Sequence, residues 1–156
     1  MLVYLIGSLR NPLVPQVAAQ LRAAGYSVFD DWFAAGEHAD DAWRDYERGR
    51  GHTLPEALKG EAAWHIFEFD KKWLDKADVA ILMLPAGKSG HLELGYVCGC
   101  GKPTFVLLDK DPDRYDVMYR FMSGVSATVE DLLKHMRGEE MRAGAARRMA
   151  EPGGNS

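Results

Sequence analysis

Six consecutive apolar residues, Val79-Ala80-Ile81-Leu82-Met83-Leu84, run into a glycine-rich stretch, Gly87-Lys88-Ser89-Gly90, and then into a helix-like segment. A short unbroken apolar run fits a strand covered on both faces, as in a parallel sheet sandwiched between helices. Comparable runs occur at Val3–Ile6, Ser27–Phe29 and Thr104–Leu108. Between the first two, Pro12–Ala24 places Val14, Val17, Ala18 and Leu21 at helical spacing, with Gly25 as a stop. This alternation predicts a single three-layer α/β domain with a mainly parallel sheet.

The remaining segments fit that scheme. A long helical region before the third strand divides into Ala39–Arg48, Leu54–Trp64, with Thr53 as its cap, and Ile66–Lys76. Leu92–Cys100 is the helix after the glycine-rich turn. Asp111-Pro112-Asp113 marks a turn, Tyr115–Met122 a helix, Ser126–Thr128 a short fifth strand and Val129–Met136 an amphipathic helix. The domain is expected over residues 1–137, followed by a helical or disordered tail over 138–156.

With 47% apolar and 27% charged residues and a net charge of -4, the composition is that of a globular domain without a general nucleic-acid footprint. The basic residues near the C-terminus alternate with glutamates, which suits a solvated helix face better than a binding arm. Cys98 and Cys100 are too close for an easy disulfide and too few for a zinc site. The chain starts directly on a strand, so neither a signal peptide nor a membrane span is expected, and it reads as a reduced, cytoplasmic protein.

Two tempting motifs fail on missing residues. Gly87-Lys88-Ser89 resembles the end of a phosphate-binding P-loop, but the required earlier glycine is Leu82. His91-Leu92-Glu93 followed by Cys98-Gly99-Cys100 lacks the Pro-Cys-x-x-Cys of a zinc deaminase.

Better candidates converge on the carboxyl ends of neighbouring strands, where α/β sheets hold ligands. Gly7-Ser8-Leu9-Arg10 offers backbone N–H groups, a hydroxyl and a guanidinium to an anion; alternatively Ser8 and Asn11 only cap a helix. Asp30, Asp31 and Trp32 either bind and stack a planar polar group or form a turn around a buried tryptophan. Glu93 is either a charge compensating the helix dipole or a catalytic carboxylate. Asp70, among phenylalanines, is either paired with Lys71 or Lys72 or held in a pocket.

Tyr4-Leu5-Ile6-Gly7-Ser8-Leu9-Arg10, Asp70 eight residues before Asp78, and Gly90-His91-Leu92-Glu93-Leu94-Gly95-Tyr96 together resemble the nucleoside 2-deoxyribosyltransferase family. That family includes 2'-deoxynucleoside 5'-monophosphate N-glycosidases and cytidylate hydrolases. The likeness runs from about residue 2 to residue 130. It implies a flavodoxin-like five-stranded fold and cleavage of an N-glycosidic bond with retention at C1', on a nucleoside or nucleotide, without metal or other cofactor. It makes Glu93 the nucleophile, Asp70 the acid/base serving the nucleobase, and Tyr4 the residue that hydrogen-bonds Glu93. It also implies a homo-oligomer in which Met118, Tyr119 and Phe121 complete a neighbour's site.

Gly87 stands where the transferases carry a base-contacting aspartate and several monophosphate hydrolases a phosphate-binding serine. Lys88 and Ser89 follow it and, with Ser8 and Arg10, form a set suited to a 5'-phosphate. His91 and Gly101-Lys102-Pro103 are similar to the cytidylate hydrolases. Three activities therefore remain open: base transfer, hydrolysis of a nucleoside 5'-monophosphate, and non-catalytic nucleotide binding on the same fold.

Overall fold

The computed structural model describes residues 1–150. Five strands, β1 (Leu2–Ile6), β2 (Ser27–Phe29), β3 (Val79–Met83), β4 (Thr104–Leu107) and β5 (Gly124–Ser126), form one sheet in the order β2-β1-β3-β4-β5. All four pairings are parallel. The arrangement is the expected flavodoxin-like α/β sandwich. Every residue of β3 and β4 is buried, which explains their unbroken apolar runs, whereas β2 and β5 are short edge strands.

Alternate residues face opposite layers. Val3, Leu5, Ile81, Met83, Phe105 and Leu107 pack against α1 (Val14–Ala23) and α6 (Val129–Ala150). Tyr4, Ile6, Ala80, Leu82 and Val106 face α4 (Glu61–Lys76) and α5 (Lys88–Gly99). Tyr4 thus points into the layer that carries Asp70 and Glu93. Helix α1 buries Val14, Val17, Ala18 and Leu21, the stripe its sequence predicts.

Several boundaries differ from expectation. The region before β3 divides into α2 (Ala39–Gly49), a single turn α3 (Leu54–Ala57) and α4, with the break at extended Gly60 rather than between Trp64 and Ile66. Thr53 spends its hydroxyl on Glu56 (2.8 Å) rather than on a backbone cap. Strand β3 stops at Met83 because Pro85 has no N–H to continue a ladder. The stretch Val117–Phe121 is a 3-10 turn opened by the Asp116 carboxylate, which accepts from the Met118 N–H at 2.9 Å. Strand β5 lies two residues earlier than expected, since the Thr128 hydroxyl is committed to the start of α6, 3.1 Å from the Asp131 N–H.

Helix α6 continues through Gly138 to Ala150, its Ala, Arg and Glu residues being good helix formers. The tail expected from 138 is thus helical to Ala150, and residues 151–156 lie outside the described part. No helix among the described residues is long and apolar enough to cross a membrane.

Candidate active site

Three side chains from three elements meet above the sheet. Tyr4, 1% exposed at the middle of β1, donates its hydroxyl to Asp70 Oδ1 at a long 3.5 Å. Asp70 comes from α4 and Glu93 from α5. The aromatic wall is continuous: Tyr4 and Phe29 lie 5.0 Å apart, Phe29 stacks on Trp73 at 4.4 Å, and Phe69 closes on Phe29 at 5.8 Å. Asp70 is free of its neighbouring lysine, because Lys71 pairs with Asp75 at 2.6 Å.

This setting disfavours charge. Burial, and then the negative charge of Asp70, push the Glu93 carboxyl up to about 7. Burial also raises Asp70, against a smaller opposing effect of the Tyr4 hydrogen bond. The Tyr4 phenol is pushed well above its ordinary value by burial and by the charges of Glu93 and Asp70. Both carboxyls therefore bind protons more tightly than free ones, and the charge of Asp70 is felt by Glu93. In the structure Tyr4 bonds Asp70, whereas the family resemblance had it hold Glu93.

Helix α5 begins at Lys88, not Leu92, so the glycine-rich turn is its first turn and Glu93 belongs to its second. The dipole's influence fades beyond the first turn, which weakens the charge-compensating reading of Glu93. Gly90 permits this seat: a Cβ there would lie 3.0 Å from Leu82 Cδ1 and 3.2 Å from Ile6 Cγ2. Glu93, about one turn further along α5, lies close enough to Tyr4 for its charge to raise the phenol's proton affinity.

The two anion-binding candidates are neighbours. Asn11, 6% exposed, accepts from the Leu13 N–H at 3.1 Å and donates Nδ2 to the Leu84 carbonyl at 3.5 Å. It thereby joins the Gly7-Ser8-Leu9-Arg10 turn to the segment leading into Gly87, Lys88 and Ser89. The sequence around Asn11 suits a helix cap, and its long-range partner Leu84 has no local signature. The Ser8 hydroxyl accepts from the Arg10 N–H at 3.2 Å, and the Arg10 guanidinium reaches Asp41 of α2 at 2.9 Å. Lys88 and Ser89 are exposed.

The aromatic turn after β2 is committed to structural bonds. Trp32 donates Nε1–H to the Leu5 carbonyl at 2.8 Å, and its ring lies beside Gly7. Asp30 is ion-paired with Arg22. Asp31 opens a 3-10 turn over Asp31–Ala35 and is exposed. These contacts fit a turn built around a tryptophan, and the structure brings neither acid to Asp70 or Glu93.

His91 bridges to the segment before β5. Its Nδ1 lies 2.9 Å from the Gly87 carbonyl, which requires a proton on that nitrogen, so Nε2 accepts from the Tyr119 hydroxyl at 2.9 Å. The two rings stack at 6.0 Å. Met118 and Phe121 flank Tyr119 and are more than half exposed.

No protein-family model matches the chain, and no curated protein does. Solved structures do. The 2-deoxyribosyltransferase of the psychrotolerant bacterium Bacillus psychrosaccharolyticus superposes with a TM-score of 0.55 at 18% identity, over 85% of this chain and 90% of that one. The CMP N-glycosidase of Clostridium botulinum gives 0.51 at 13% identity, over 88% of this chain and 99% of that one. At such low identity the likeness speaks for architecture: across nearly its whole length, the chain has the flavodoxin-like fold of these two N-glycosidic enzymes.

Proposed function

We propose that the chain is an enzyme of the nucleoside 2-deoxyribosyltransferase family that cleaves the N-glycosidic bond of a (deoxy)nucleoside or its 5'-monophosphate. The observation that carries this reading is the half-buried Asp70–Glu93 pair beside Tyr4, two carboxyls whose proton affinity is raised. That is what a two-carboxylate glycosidic mechanism uses. Both structural neighbours are described as acting on such bonds.

In the proposed reaction an ionised Glu93 oxygen attacks C1' as the C1'–N bond breaks. The bonding electron pair leaves with the base, which takes the Asp70 proton. An acceptor base or water then attacks C1' and releases Glu93, with net retention; in the second step Asp70 takes up the proton of the attacking group. The Tyr4 hydroxyl supports the ionised form of Asp70 between steps. Protein residues and substrate balance these steps, and no cofactor enters them.

Our first reading is transfer of the deoxyribosyl group to a second base. Hydrolysis of a 5'-monophosphate is the second, favoured by the joining of the Ser8–Arg10 turn to the Gly87–Ser89 turn through Asn11 and Leu84. Tyr4 and Ile6 are separated along β1 by about 7 Å, a span suited to a pentose with its phosphate at the strand end. Met118, Tyr119 and Phe121 would complete a neighbouring subunit's site, as the family resemblance implies.

Chromatography of deoxynucleosides and their 5'-monophosphates, incubated with and without an acceptor base, separates the readings. Base exchange marks a transferase and base release alone a hydrolase; ligand binding without turnover marks non-catalytic nucleotide binding. Glu93→Ala should lower turnover on the order of a thousandfold or more, and Asp70→Asn about a hundredfold or more. Full activity in Glu93→Ala would falsify the mechanism.

A further inference from the structure

The Arg10 guanidinium of the candidate anion turn is already paired with a side chain of the protein itself. Asp41, in the first turn of α2, places Oδ2 2.9 Å from Arg10 Nη2 and Oδ1 2.9 Å from Arg44 Nη1. One carboxylate therefore serves two guanidiniums, one on the β1–α1 turn and one on its own helix. All three groups reach solvent, so the bonds are exchangeable rather than locked.

The helix that delivers Asp41 lies at the surface of the domain. Only Glu47 of α2 is buried, and two glycines with positive φ flank the helix, Gly36 at 85° and Gly51 at 77°. Glycine takes these conformations without a Cβ penalty, so the chain turns sharply at both ends of the helix. Beyond Gly51 the helix is tethered by Glu47, whose Oε2 lies 2.6 Å from His52 Nδ1. Within α2 the indole N–H of Trp43 is buried without a partner, a cost borne by the present seat of the helix.

We propose that Asp41 is a specificity-determining residue, an internal anion that holds Arg10 until a phosphate monoester displaces it. This rests on the monophosphate reading given above and adds to it how the phosphate gains its arginine. In the exchange Arg10 leaves a carboxylate for a phosphate, whose oxygens accept the guanidinium's paired N–H groups at higher charge. Asp41 is not left unpaired, because Arg44 keeps it. A neutral nucleoside brings no group able to make this exchange, so Arg10 stays clasped and α2 stays in place. The clasp thereby sorts phosphorylated from unphosphorylated substrates at the site entrance.

Inorganic phosphate, titrated calorimetrically into the full chain, tests the clasp without requiring turnover. Removing a competing exposed ion pair worth about 0.2–1 kcal/mol corresponds to a gain of about 1.5–5-fold. Asp41→Asn should therefore tighten phosphate binding by about that factor, and Arg44→Gln, which leaves Asp41 to Arg10 alone, should weaken it. Asp40→Asn makes the same charge change beside the clasp and should leave binding unchanged. In an Arg10→Gln background Asp41→Asn should have no effect. With substrates, Asp41→Asn should lower KM for deoxynucleoside 5'-monophosphates and leave that for deoxynucleosides unchanged. The proposal is overturned if Asp41→Asn fails to tighten phosphate, if Asp40→Asn tightens it equally, or if the gain survives loss of Arg10. Failure of wild-type protein to turn over any monophosphate would instead remove the substrate reading, while the phosphate titrations still decide the clasp.

Discussion

At the scale of single residues, Glu93 carries opposing demands. It must be ionised to attack, yet its surroundings raise its proton affinity from the ordinary 4.5 to about 7. The folded protein therefore holds more protons than the unfolded chain between those values, and stability falls as pH rises through that window. Glu93→Gln, which keeps the shape and removes the charge, should stabilise the fold at pH 8 by on the order of 2 kcal/mol. The gain should vanish near pH 4, where the wild-type carboxyl is protonated in both states. Urea denaturation of both proteins at the two pH values measures it, and an equal difference at each would contradict the assigned burial. Glu93 and Asp70 stand out in the sequence as candidate acids, and the resemblance adds Tyr4 and a role for each, but the Tyr4–Asp70 bond was not legible. Which carboxylate a phenol reaches depends on how α4 and α5 sit over β1, a matter of tertiary packing.

At the scale of elements, local pattern and non-local contact divide the outcome. The apolar strands and the Val14, Val17, Ala18, Leu21 stripe were readable because burial imposes periodicity on sequence. The start of α5 was not, since Gly87-Lys88-Ser89-Gly90 has turn composition and becomes helical only because Gly90 fits against Ile6 and Leu82. Asn11 belongs to the same class, its partner Leu84 lying 73 residues away. Asn11→Ala removes both its turn bond and its link to Leu84. It should cost about 1–3 kcal/mol of stability and raise KM for monophosphates more than for nucleosides. Thermal melts and paired kinetics check this; an equal KM change for both substrates would detach the two turns from phosphate recognition.

At the scale of the whole molecule, large apolar side chains of α4, α5 and the segment before β5 reach solvent. Trp64 and Phe67 on α4, Leu92 on α5, and Val117 and Phe121 before β5 are each more than half exposed. Exposed large apolar side chains that form one patch mark an interaction face. A second copy of the chain is the expected occupant, bringing its own Met118–Phe121 segment to its neighbour. Light scattering should give at least twice the 17.4 kDa chain mass, and a monomer at micromolar concentration would contradict shared sites. The sandwich order followed from alternating elements, whereas the Arg10–Asp41 clasp and the full length of α6 were not legible. Pairings across the fold leave no periodic trace, and alternating charges suit a helix or a tail equally.

In the proposed mechanism Glu93 becomes covalently attached to the sugar. Mass spectrometry of peptides from enzyme quenched in acid during turnover tests it most directly. The peptide containing Glu93 should carry the mass of the deoxyribosyl group, with its phosphate when a monophosphate is the donor. Substrate consumption with that peptide unmodified, and with Glu93→Ala still fully active, would contradict it.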